Sequence, residues 1–171
     1  MKSKDQQLLE EAYETVLESL NNPYPYELST AGADDAYIFY PNPDNKDIFY
    51  SVTLLEDITY SDLLRIVFTY TDKSKKIRRM TDMTGTGDAF RVMATVAKIV
   101  TEHLRKYAES YSYIDFEAKS SDHGRVALYK RLAQKLKNEV LGPKWKLETS
   151  NDEKEKSVRF LFKRVFSRED Y

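Results

Sequence analysis

Residues 84–100, TGTGDAFRVMATVAKIV, place Gly85 and Gly87 directly ahead of an apolar helix pattern. A helix start leaves its first N–H groups without intrahelical partners, and with the helix dipole these groups attract anions. Glycines let a phosphate approach such a backbone closely. Thr84, Gly85, Thr86, Gly87, Asp88 and Ala89 are therefore candidates for cradling a phosphate group, although the same spacing suits a plain turn. Asp88 pulls the other way. A carboxylate at a helix start can cap the free N–H groups itself and would repel a diphosphate.

Other chemistries find little support in the chain. Gly85 and Gly87 lack the following Lys-Ser/Thr of a Walker loop, and there is neither a G-x-S-x-G elbow nor an H-E-x-x-H string. With no cysteine there is no disulfide framework and no thiolate, and His103 and His123 are too few for most metal cages. No run approaches the roughly 18 apolar residues of a membrane span. The opening MKSKDQQLLEEAYE lacks a signal-peptide core, which points to a cytoplasmic protein.

The elements around the glycines follow from hydrophobic period. Leu8, Leu9, Ala12, Tyr13, Val16, Leu17 and Leu20 share one helix face, and NNPYP ends that helix near residue 22. Residues 24–83 read as a strand-rich half. PYELST suggests a short edge strand, AYIFYP and DIFYSVTLLE flank the NPDNK turn, and LLRIVFTYTD alternates before the weaker KKIRRMTDM. Val92, Met93, Val96, Ala97, Val100, Leu104 and Tyr107 then predict a helix over about 88–109. YIDFEA reads as a strand with Ile114, Phe116 and Ala118 on one face, and Asp115 and Glu117 on the other. Val126, Tyr129, Leu132, Ala133, Leu136 and Val140 predict a second helix that stops at LGP, and KWKLETS and SVRFLFKRVF close the chain as a hairpin. The 171 residues thus read as one α+β domain, with helices packed on a mixed, mostly antiparallel sheet.

This order, with its strand, glycine loop and long helix, resembles the GNAT superfamily of acyl-CoA-dependent N-acetyltransferases. Their signature is Q/R-x-x-G-x-G/A between a central strand and a helix, and Thr84-Gly85-Thr86-Gly87-Asp88-Ala89 fits that frame with Thr84 in place of Gln or Arg. DHGRVALYKRLAQKL matches a second family segment, with Asp122 in the usual Asn position and Leu128-Tyr129 as the Leu-Tyr pair. The resemblance implies that residues 84–171 form a half that binds acetyl-CoA and that the 84–89 amides hold its pyrophosphate. It implies that YIDFEAKSS pairs with the pantetheine arm, and that Tyr129 protonates the departing thiolate. The same strings also resemble proteins of tailed bacteriophages, which would allow a host-modifying or a virion role.

If acetyl transfer is the chemistry, an amine acceptor needs a base. Asp82, just ahead of the glycines, and Glu117 are the candidates, and a charge shared between Glu117 and Asp115 would suit a base. Lys119, Ser120, His123 and Arg125 cluster at the second helix start, where they would meet the CoA phosphates or simply form a solvated cap. Tyr129 lies on the same stripe as Val126 and Leu132, so a core role competes with the acid role.

Charge and aromatics keep binding functions open. Residues 1–70 hold 13 acidic residues against Lys2, Lys4, Lys46 and Arg65, whereas the remainder holds 23 basic against 15 acidic. An anionic ligand therefore suits the C-terminal part, and the acidic first part suits a cationic acceptor such as an amine or a protein lysine. KSKKIRR beside RIVFTYT, with 13 tyrosines in the chain, allows nucleic-acid binding, although no RNP-like string is present. A non-catalytic fold acting through a protein partner or self-association is the other alternative.

Overall fold

The computed structural model describes residues 21–29, 34–57, 62–80, 89–119 and 123–166, with 77–80 and 123–125 described as backbone only. The expected first helix, Asp82 and Thr84–Asp88, and Ser120 lie outside the described residues.

The chain builds an eight-stranded sheet with two α-helices among the described residues. Strands β1 (Tyr26–Ser29), β2 (Asp35–Phe39), β3 (Ile48–Asp57) and β4 (Leu63–Asp72) form an antiparallel meander, and β5 (Ile77–Met80) turns back onto β4. Helix α1 (Ala89–Tyr107) crosses to β6 (Tyr113–Lys119), and α2 (His123–Lys135) crosses to the hairpin β7 (Trp145–Asp152) and β8 (Ser157–Arg164). The sheet order is β1-β2-β3-β4-β6-β8-β7, and only β4 and β6 pair in parallel. This is the mixed, mostly antiparallel α+β sheet expected from the sequence, in one layer under two helices.

Strand alternation decides where the core lies. On one sheet face β3 presents Tyr50, Val52 and Leu54, β4 presents Leu64, Ile66, Phe68 and Tyr70, and β6 presents Ile114, Phe116 and Ala118, all buried. Both helices bury their apolar stripes in this same core, α1 through Val92, Val96, Val100 and Leu104, and α2 through Tyr129, Leu132 and Ala133. Across it runs an aromatic ladder, Tyr24–Phe39–Tyr50–Tyr70, with ring centroids 6.0, 5.4 and 5.3 Å apart. Offset and edge contacts of this kind contribute about 0.5–1.5 kcal/mol each beyond area burial.

Helix α1 is seated by the segment before β1. The Tyr24 N–H donates to Thr95 Oγ1 at 2.8 Å, and that hydroxyl donates to the Arg91 carbonyl. Arg91 Nε donates to the Asn22 carbonyl at 2.8 Å while its guanidinium lies over the Tyr24 ring. Tyr26 completes the strap by donating to Glu102.

The two helices run side by side in the same direction. Phe90 and Met93 of α1 line one groove with Leu128 and Leu132 of α2, and one to three turns further on Ala97 and Thr101 line a second with Lys135 and Glu139. Both N-termini therefore emerge at one end of the molecule. Helix α2 loosens into a π-helical turn, Leu136–Leu141, which ends as expected at Gly142. That glycine sits at φ +76°, and its N–H bonds back to the Lys137 carbonyl at 2.9 Å.

Candidate active site

The central feature is the early parting of β4 and β6. Their parallel register covers Leu63–Tyr113, Leu64–Ile114 and Arg65–Asp115, and then ends, although both strands continue. The closed end is laced by backbone bonds from the Ser112 and Tyr113 N–H groups to the Asp62 carbonyl, at 2.9 and 3.2 Å. Beyond Asp115, the edge of β6 away from β8 has no strand in register among the described residues. A gap thus opens toward Lys119, the exposed last residue of β6, and toward the end where both helices begin.

Three rings close the helix side of this gap. Phe68 of β4 and Phe116 of β6 meet edge-on at 5.7 Å, and Tyr129 of α2 stacks on Phe68 at 5.4 Å and meets Phe116 at 6.2 Å. All three are at most 1% exposed. Tyr129 is therefore a core tyrosine by burial, and by position it sits against both strands that flank the gap.

Glu117 points to the opposite sheet face and is half-buried, in register with Arg159 of β8. The sequence puts Asp115 and Glu117 on one strand face with a shared negative charge. Asp115 is instead fully buried. Arg65 donates to it through Nε at 3.1 Å and Nη2 at 3.0 Å, and Arg159 through Nε at 2.8 Å, with Arg159 Nη2 2.6 Å away. Two guanidiniums lying across the carboxylate both hide it and balance its charge, so Asp115 is no lone like charge beside Glu117. The same hydrogen bonds, followed by the attraction of Asp115 and Glu117, push the Arg65 guanidinium above its ordinary range.

Of the remaining expected residues, Ala89 opens α1 and is exposed, Lys119 ends β6, and Arg125 lies in the first turn of α2. Strand β5 is the weaker strand expected in KKIRRMTDM. It pairs with Thr69–Asp72 on the β4 edge that faces the gap, so that stretch of backbone is already hydrogen-bonded.

A buried polar relay was not foreseen. His103 of α1, 6% exposed, meets the Tyr111 hydroxyl through Nε2 at 2.9 Å, and that hydroxyl donates to Glu56 Oε1 at 2.5 Å. Burial pushes the His103 pKa down, while Glu56 and Asp35 push it up by less. Burial first, and then the Glu56 hydrogen bond, raise the Tyr111 phenol well above its ordinary value, so it remains a donor. The relay lies near the closed end of the gap, because Glu56 is in register with Leu64. The signal for it was a histidine on the apolar stripe of α1, between Val100 and Tyr107.

Comparison with known proteins places residues 21–160 within the model of the family described as "Family of unknown function (DUF6934)". The chain belongs to the DUF6934 family. None of the curated proteins compared matches it. Among solved structures, this DUF6934 chain is similar to the crystal structure of a Bacillus subtilis acetyltransferase in complex with CoA, with 12% identity and a TM-score of 0.35 over 97% of this chain and 95% of that one. Among the described residues no helix is long and apolar enough to cross a membrane, and no group of three or more His, Asp or Glu could hold a metal ion.

Proposed function

We propose that the chain binds acyl-CoA and transfers an acetyl group to an amine. The supporting observation is the gap between β4 and β6, open at the end where two parallel helices begin; the glycine-containing segment 84–88 immediately precedes the first of these helices in the sequence. Its residues suit the cofactor: a strand edge along 116–119 that is unshared among the described residues, for an amide-bearing arm, an aromatic floor of Phe68, Phe116 and Tyr129, and Lys119 at the mouth. Acetyl-CoA would supply an activated thioester.

The chain's own groups would act from two sides. Glu117, on the outer face, takes the proton from the acceptor ammonium, and the freed amine forms its C–N bond to the acetyl carbon. The C–S bond would break, Tyr129, on the helix face, would give its hydroxyl proton to the sulfur, and the second proton lost by the nitrogen as the amide forms would restore the Tyr129 hydroxyl. Asp82, in the segment between β5 and α1, is the alternative base. The amides of Thr84–Asp88, with Ala89, Ser120 and Arg125, would hold the phosphates. The acceptor is an amine or a protein lysine.

The β5 pairing favours a second reading, a non-catalytic fold that acts by binding a protein, in a host or a virion. A thermal-shift titration separates the two. At about 100 times its dissociation constant, acetyl-CoA adds about 2.7 kcal/mol of stability. No shift at millimolar acetyl-CoA removes the enzyme reading.

A further inference from the structure

A second concavity lies along the flank of α1, away from the strand gap. It is an open cleft of about 390 Å³ between α1, the π-helical turn and the strap at Asn21–Pro23. Ala94 and Ala97 floor it, and because they are small it stays open. Three cations surround it, Lys98 and Arg105 from α1 and Lys135 from α2, all exposed. On α1 the positions 98, 101 and 105 share one face, so both cations and the Thr101 hydroxyl point to the same side. Thr101 lies about 18 Å along the axis from Ala89, the first residue of α1, at about 1.5 Å per residue.

Its described wall is mainly cationic, although Lys98 Nζ also lies 5.6 Å from the centre of the Tyr26 ring, whose hydroxyl donates to Glu102. None of the three cations makes an ion pair among the described residues, although five other ion pairs form there. Among the described residues Glu139 is the one carboxylate on the wall. Like charges gathered around a concavity repel one another unless an anion enters, and a concave wall strengthens their field on that anion. The volume matches a small molecule.

We infer that this cleft is a binding site for a small organic phosphate carrying hydroxyl groups. Lys98, Arg105 and Lys135 hold the phosphate with charge-assisted hydrogen bonds, supported by the Thr101 hydroxyl. Glu139 accepts from a ligand hydroxyl at the far side, which disfavours a bare oxyanion. The site does not depend on the acyl-transfer reading, and the two are tested by separate titrations.

The test is calorimetric titration of the full chain with glucose 6-phosphate, glucose and inorganic sulfate at one fixed ionic strength. Glucose 6-phosphate is expected to bind saturably at one site, with glucose at least tenfold weaker and sulfate weaker than the sugar phosphate. Lys98→Ala with Arg105→Ala, and separately Lys135→Ala, lower its affinity at least tenfold. These side chains are exposed, so the variants keep their fold, which circular dichroism verifies. Equal binding of glucose, equal binding of sulfate, or affinity unchanged by the substitutions overturns the proposal. So does the absence of any heat or shift with glucose 6-phosphate at millimolar concentration.

Discussion

Arg65 and Asp115 face each other in register at the last residue pair that β4 and β6 share, joined by two parallel N–H···O bonds of 3.1 and 3.0 Å. The clamp sits where the two strands begin to part, and Arg159 ties the same carboxylate to β8. Removing the carboxylate leaves two guanidiniums, 49% and 36% exposed, that can turn to water. The cost therefore stays below the about 3–5 kcal/mol of breaking a wholly buried pair. Asp115→Ala is expected to lose about 1–3 kcal/mol in urea unfolding. An unchanged unfolding midpoint would show that the three strands hold together without the clamp.

Tyr129→Phe keeps the ring that stacks on Phe68 and removes only the hydroxyl. If the hydroxyl protonates the leaving sulfur, kcat for acetyl transfer falls about 10²-fold or more while Tm stays within a few degrees. A variant with wild-type turnover and the same fold assigns Tyr129 to the core alone.

His103 gives stability a pH dependence with a definite sign. Burial holds its folded-state pKa below the unfolded value of about 6.5. Between those two values the unfolded chain binds more protons, so stability falls as pH drops below about 6.5 and levels off below the folded pKa. His103→Gln keeps a donor for the Tyr111 hydroxyl but cannot titrate. Urea unfolding from pH 5 to 8 is expected to show a shallower slope for this variant, and identical slopes would assign the dependence to other groups.

Gly142 isolates a backbone effect. An added Cβ meets nothing within 4 Å, yet φ is +76°. Gly142→Ala is expected to cost about 1–2 kcal/mol, from the left-handed backbone rather than from crowding. A neutral result by thermal melting would mean that the turn relaxes to another conformation.

Much of this architecture was legible because period is a local property. The alternation of Ile48 to Leu54 and the stripe from Val92 to Tyr107 each declare their element and its buried side, and both agree with the structure. The LGP stop was equally plain, because only glycine accepts that backbone easily. What stayed hidden was pairing between distant strands. Arg65 and Arg159 stand out as charges inside apolar strings, but that they converge on Asp115 depends on the β4-β6-β8 order, which no single segment encodes. The same holds for Glu56 and His103, which meet only because Tyr111 bridges β3 and α1. For the candidate site, motif nominates Tyr129 and alternation nominates Glu117, whereas their placement on opposite faces of the sheet depends on topology.

The strap at Asn22–Tyr26 has a kinetic consequence. Its bonds to Arg91, Thr95 and Glu102 span 69, 71 and 76 residues of sequence. Connections that distant form late, because a long loop must close before any of them contributes. The long helix can coil early by itself, but its berth is complete only once the meander before it has assembled. Weakening the strap should therefore speed unfolding more than it slows refolding.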